Sequence, residues 1–134
     1  MQSVEFRILT EGFHEDPRTG WSAYPFILGG SGLPGTDVKG MHVVSIYPGQ
    51  VRGNHYHAHT NEYLFIFTGR GMFYWEEEGA LKERELNGEP VLVVIPPGIR
   101  HAFRNTGDIP VYLLAVRDGE FDYGNPDIVR VPLV

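Results

Sequence analysis

The feature that most restricts this chain is its punctuation. Glycine occurs 17 times and proline 10 times in 134 residues, and the pieces between them are short and rich in β-branched and aromatic residues. Met41 to Tyr47, Arg52 to His57, Glu62 to Thr68, Met72 to Glu76, Leu81 to Leu86, Val91 to Ile95, Ile99 to Asn105, Val111 to Val116 and Ile128 to Val131 each read as a strand. Pro48-Gly49, Gly69-Arg70-Gly71, Asn87-Gly88 and Pro96-Pro97-Gly98 read as the turns that stop them. No segment of ten or more residues repeats its apolar positions every 3.6 residues. A helix needs that period to bury one face, so the pattern predicts no substantial helix and an all-β sandwich or barrel. Residues 1–9 alternate weakly and suit an edge strand, whereas residues 10–40 are dense in turn signals and read as loops. Trp21, Tyr24 and Phe26 in that stretch read as staples of the loop onto the core, or as a lid or dimer contact.

The length predicts one domain over residues 1–134. Within it, residues 1–40 would form an arm and loops, 41–117 the barrel core, and 118–134 a C-terminal strand or tail. Hydrophobic residues make up 42% of the chain and argue against disorder. The absence of cysteine excludes disulfides and thiolate metal ligands. Net charge is −6 and the 11 Lys and Arg are scattered. A nucleic-acid reader carries a clustered basic footprint, so nucleic acid is not expected as a partner. No apolar run approaches the roughly 20 residues of a membrane span. The opening MQSVEFRIL lacks the basic start and apolar core of a secretion signal, so cytoplasm is the expected location.

The chemistry concentrates between Gly49 and Gly69, in GQVRGNHYHAHTNEYLFIFTG. His55 and His57 are two apart in a β-forming run, so their imidazoles would share a face. Ala58 to Asn61 is long enough for a tight turn, and a hairpin there would return Glu62 beside the histidines. Two neutral imidazoles and a carboxylate make a mixed N/O set suited to a borderline divalent metal. His101 opens a strand after the Pro-Pro-Gly corner, and from across a small barrel it would complete a three-His, one-carboxylate set. His59 sits at the turn, where it reads as a solvent-facing residue, an extra ligand or a proton shuttle.

These residues resemble the two motifs of the cupins. The first is Gly, five residues, His-x-His, three or four residues, Glu, six residues, Gly, and Gly49, His55, His57, Glu62 and Gly69 match it throughout. The second is Gly, five residues, Pro-x-Gly, two residues, His, three residues, Asn. Pro96, Gly98, His101 and Asn105 match it, but position 90 is Pro where the leading Gly belongs. The resemblance implies a small antiparallel β-barrel of jelly-roll type with a metal inside, held by His55, His57, Glu62 and His101, and a homodimer. The metal would be Fe, Mn, Ni, Zn, Co or Cu, since N/O ligands discriminate poorly among them. Four protein ligands on an octahedral ion leave two positions for water, dioxygen or a chelating substrate. The leading expectation is therefore an enzyme acting on a small molecule through an open metal site, of dioxygenase, isomerase or cyclase type.

A second resemblance lies in Arg52-Gly53-Asn54-His55-Tyr56, which is similar to the R-G-x-H-[F/Y] string of deoxysugar cupins such as the nucleotide-sugar epimerases. It implies a metal-free alternative, with His55 as general base and Arg52 on substrate phosphate. His57, where those epimerases carry Gln, departs from that pattern. Arg52 otherwise reads as a solvated charge, and Tyr47 is a further substrate-binding candidate near the ligand strands. A third alternative is a non-catalytic barrel that binds or senses a small ligand. On the Glu62 strand, Tyr63, Phe65 and Phe67 share the face opposite Glu62. So large an apolar stripe is rarely left in water, and it predicts a homodimer contact, with packing inside one subunit as the competing explanation.

Overall fold

The computed structural model describes residues 3–8, 13–23, 39–119, 124 and 126–134. Among the described residues there is no helix, and the strands fall where the turn residues leave room for them. They are β1 (Glu5–Ile8), β2 (Phe13–Asp16), β3 (Gly20–Ala23), β4 (Gly40–Ile46), β5 (Val51–His57) and β6 (Glu62–Ile66). Then come β7 (Gly71–Glu77), β8 (Ala80–Leu86), β9 (Val91–Ile95), β10 (His101–Asn105), β11 (Val111–Arg117) and β12 (Ile128–Arg130). One five-stranded sheet runs β1-β9-β6-β11-β4, a second runs β12-β5-β10-β7-β8, and β2-β3 form a separate hairpin. Every described pairing is antiparallel.

The two large sheets pack face to face around one core. Ile46, Leu64, Ile66, Val93 and Leu113 come from the first sheet and meet Phe73, Leu86 and Phe103 from the second. β9, with all five residues buried, has the continuous apolar run of a strand covered on both faces. The result is a jelly roll whose two sheets are not zipped into a closed cylinder, and a cavity opens between them.

Three expectations change. The stretch read as loops contains the β2-β3 hairpin, in which Trp21 leans on Phe13 at 5.6 Å between ring centroids while 42% exposed. Among the described residues Trp21 therefore packs within its own hairpin. Tyr24 and Phe26 lie outside the described residues. Second, β5 and β6 do not form a hairpin: they belong to opposite sheets. The connection crosses the sandwich and is clasped from outside. Asp127 accepts from the His59 and Thr60 backbone amides and from the Thr60 hydroxyl, and Asp118 accepts from the Asn61 backbone and side chain. Third, the outward aromatic stripe is partly covered within the chain. Phe65 is buried with Leu92 and Val94, and Ala23, Tyr63, Phe67 and Leu114 pack around them.

Candidate functional site

Each ligand candidate is placed by register. His55 faces His101 across β5-β10, so both share the inner face of the second sheet. His57 follows two residues later on the same face. Glu62 heads β6 and reaches the group from the opposite sheet. One donor atom from each of His55, His57, Glu62 and His101 lies within 4.8 Å of the others. The set expected from the sequence is therefore brought together, although Glu62 arrives by crossing between sheets. His57, Glu62 and His101 are all buried. Phe73 stacks on His101 with ring centroids 6.2 Å apart, closing one side of the group.

The polar atoms are held tightly but incompletely satisfied. His101 Nε2 lies 3.1 Å from Glu62 Oε1, and its Nδ1 lies 2.9 Å from the Ile99 carbonyl. A carbonyl only accepts, so Nδ1 carries a proton. Nε2 then either bears a second proton, pairing with the carboxylate as imidazolium, or turns a lone pair toward a shared centre. His57 Nε2 is 2.7 Å from Glu62 Oε2, yet not in line for a hydrogen bond. Among the described residues, His57 Nδ1 and His55 Nδ1 are buried without hydrogen-bond partners. Burial pushes the Glu62 carboxyl up, but the His101 hydrogen bond and the closely apposed His57 imidazole outweigh it and hold the group well below the usual carboxylate range. Burial, then the neighbouring His101, lowers His55 to about 4, so its imidazole is neutral at pH 7.

This donor set fits a divalent cation. Neutral imidazoles and an ionised carboxylate are the forms that bind. Their donor atoms all lie within 4.8 Å of one another, close enough to converge on one ion at the roughly 2.1 Å typical of such ligands.

The cavity above the cluster has a volume of about 380 Å³. Its lining includes His42, Leu64, Phe103, Arg52, Ile128 and Arg130 besides members of the cluster. Arg52 enters it through a β-bulge. Regular alternation would turn Arg52 away from His55, but the register shifts between His101 and Ala102, which face His55 and Gly53. Gly53 and Asn54 take φ values of 103° and 55°, and Arg52 comes to face the inward Phe103. Only glycine fits at 53, because a Cβ there would lie 2.9 Å from both the Ala102 Cα and the His101 carbonyl. Tyr47 is 66% exposed in the β4-β5 turn and does not line the cavity. His59 is exposed at the clasped crossing, outside the cluster.

Two lining residues escaped the sequence reading. His42 alternates with the inward Val44 and Ile46 on β4, a signal that was present, and burial lowers its imidazole. Arg130 sits opposite His55, a placement that only the β5-β12 register reveals.

The family model described as "Polysaccharide biosynthesis C-terminal domain" matches residues 35–129, which hold the whole cluster. The chain belongs to that family. This polysaccharide biosynthesis C-terminal domain is 29% identical over 94 residues to the spore coat polysaccharide biosynthesis protein SpsL of Bacillus subtilis, covering 64% of the chain and 62% of SpsL. It is 25% identical to germin-like protein subfamily 3 member 2 of Arabidopsis thaliana, over 87% of the chain and 49% of that protein. It thus spans less than two thirds of either relative. Among solved structures it is similar to the capsular polysaccharide assembling protein CapF of Staphylococcus aureus, at TM-score 0.66 and 26% identity, over 72% of this chain and 27% of CapF. It also superposes on a dTDP sugar isomerase from Desulfovibrio desulfuricans at TM-score 0.77 and 18% identity, over 98% of this chain and 85% of that one. The 3,4-ketoisomerase QdtA of Thermoanaerobacterium thermosaccharolyticum gives 0.74 and 16%, over 97% and 88%. Those two likenesses establish the fold, the cupin jelly roll. Among the described residues no helix is long and apolar enough to cross a membrane.

Proposed function

We propose that this domain isomerises or epimerises a nucleotide-linked sugar during polysaccharide biosynthesis. The observation that carries the reading is a family match that places the histidine-lined cavity within a polysaccharide biosynthesis domain. The likeness to CapF and to sugar isomerases supports it over the dioxygenase and cyclase forms of the metal-enzyme expectation. QdtA has been crystallised with TDP-4-keto-6-deoxyglucose, a sugar whose keto group acidifies the carbons beside it. Isomerisation or epimerisation removes one such proton and returns one. The cavity offers His55 on one wall and His42 on the other for these transfers, with Arg52 for phosphate. Incubating the protein with TDP-4-keto-6-deoxyglucose in D₂O is expected to place deuterium beside the keto group. No exchange with this or other nucleotide-linked keto sugars would refute the reading.

The orphaned histidine nitrogens favour a second reading of the same chemistry, in which the cluster holds a divalent cation. An imidazole lowered to about 4 is a weak base but a ready ligand. A cation bound there would supply a Lewis acid for the sugar carbonyl. His55, His57, Glu62 and His101 would hold it, and the Phe73 ring would keep water from one side. Elemental analysis of protein purified without added metal tests this: stoichiometric metal supports it, and a metal-free protein with full exchange activity refutes it.

We also infer a homodimer. Met41 is 62%, Val43 71% and Tyr112 45% exposed on the outer face of the first sheet, continuing the Phe65 cluster toward β4, the edge strand among the described residues. Light scattering should give twice the chain mass, and V43K should give the monomer. A monomeric wild type refutes the pairing.

A further inference from the structure

We propose that Arg130 joins Arg52 in a two-arginine anion subsite at the rim of the cavity, assembled by Asn54 at the β5 bulge. The subsite would hold the phosphates of the ligand while its sugar enters toward the cluster. The proposal rests on the nucleotide-sugar reading for the identity of the anion, but the subsite itself stands on geometry.

Four observations converge. Arg130 pairs with His55 across β5-β12, so its side chain leaves the inner face next to the cluster. Arg52 reaches the same cavity only because the bulge resets the alternation of β5. Both side chains remain exposed, as rim residues are, and among the described residues neither has an ion-pair partner. Glu62, already engaged by two histidines, is the one carboxylate among the described lining residues. The described part of the cavity wall thus carries two guanidinium groups against one carboxylate, in a chain of net charge −6.

Asn54 connects the two arginines. Its carbonyl accepts from Val131 N at 2.8 Å, and its Oδ1 accepts from Leu133 N and Val134 N at 2.9 and 3.0 Å. The residue whose left-handed backbone swings Arg52 inward therefore also ties down the segment directly after Arg130. β12 is only three residues long, and the Asn54 latch holds the segment that follows it. Size points the same way. A cavity of 380 Å³ lies near the lower end of the roughly 300–1,000 Å³ of small-molecule sites. It admits a sugar ring and leaves the phosphates at the rim, where paired guanidinium groups are suited to grip them.

The test is titration calorimetry of the purified protein with TDP, thymidine and inorganic pyrophosphate, alongside R52Q, R130Q, R130K and N54G. Wild type should bind TDP far more tightly than thymidine. R130Q should lose roughly 10- to 100-fold in TDP affinity, as expected for charge-assisted hydrogen bonds to phosphate. R130K should recover part of that loss, and thymidine binding should not change. N54G tolerates the left-handed backbone but lacks the Oδ1 latch, and should weaken TDP several-fold through Arg130. Melting temperature and any metal content should match wild type in R130Q, which separates a lost contact from a damaged fold. Pyrophosphate bound in dependence on both arginines, with TDP no tighter, supports the subsite and refutes the nucleotide-sugar reading. R130Q binding TDP as wild type does, while R52Q fails, overturns the subsite and leaves that reading standing. A wild type that binds neither anion overturns both.

Discussion

At the scale of single residues, Glu62 carries the greatest consequence. It is the one carboxylate in the cluster and sits 5% exposed between His57 and His101. Losing a group that only orients a metal ligand costs about 10- to 100-fold in affinity, so losing a ligand should cost at least roughly 100-fold. E62Q is therefore expected to purify without metal where wild type carries it, as elemental analysis would show. His55 sets an acid limit. Its folded pKa is about 4 against 6.5 for the free side chain. Between those values the unfolded chain takes up a proton that the folded chain refuses. The His55 contribution to stability is thus fully present above pH 6.5 and is lost as pH falls toward 4. Thermal melts of chelator-treated protein from pH 7 to pH 4 should show that decline, and H55Q should flatten it. The cluster residues were legible because their spacing carries the information. Arg130 was not, because a lone arginine in a short strand says nothing until its partner strand is known.

At the scale of elements, the strands were legible and their partners were not. Val91–Ile95 was readable to the residue because its apolar run is bounded by proline on both sides. The β5-β6 segment looks locally like a hairpin, since four polar residues between two β-runs permit one. Long-range contacts decide otherwise: the Asp127 and Asp118 carboxylates, some 57 to 68 residues away in sequence, hold the connection in a crossing. The β5 bulge was hidden too, because Gly53-Asn54 inside a strand marks a bulge only once the opposite register is seen. Asn105 shows what one motif residue does for an element. Fully buried, it donates to the Ile46 and Ile109 carbonyls and accepts from Gly107 N, joining the end of β4 to the β10-β11 turn. N105A leaves those groups unpaired and should cost about 2–4 kcal/mol. Urea denaturation should show a lower midpoint with an unchanged slope.

At the scale of the molecule, the crossing has a mechanical outcome. Three imidazoles project from one layer and the carboxylate from the other. An ion gripped by all four would act as a rivet through the sandwich, adding to the side-chain packing, short connections and few hydrogen bonds, such as Asn105 to the Ile46 carbonyl, that join the layers. Loading zinc should then slow amide hydrogen exchange in β5 and β6 together, although the two strands share no backbone hydrogen bond. Slowing confined to β5 would mean that the grip never spans the gap.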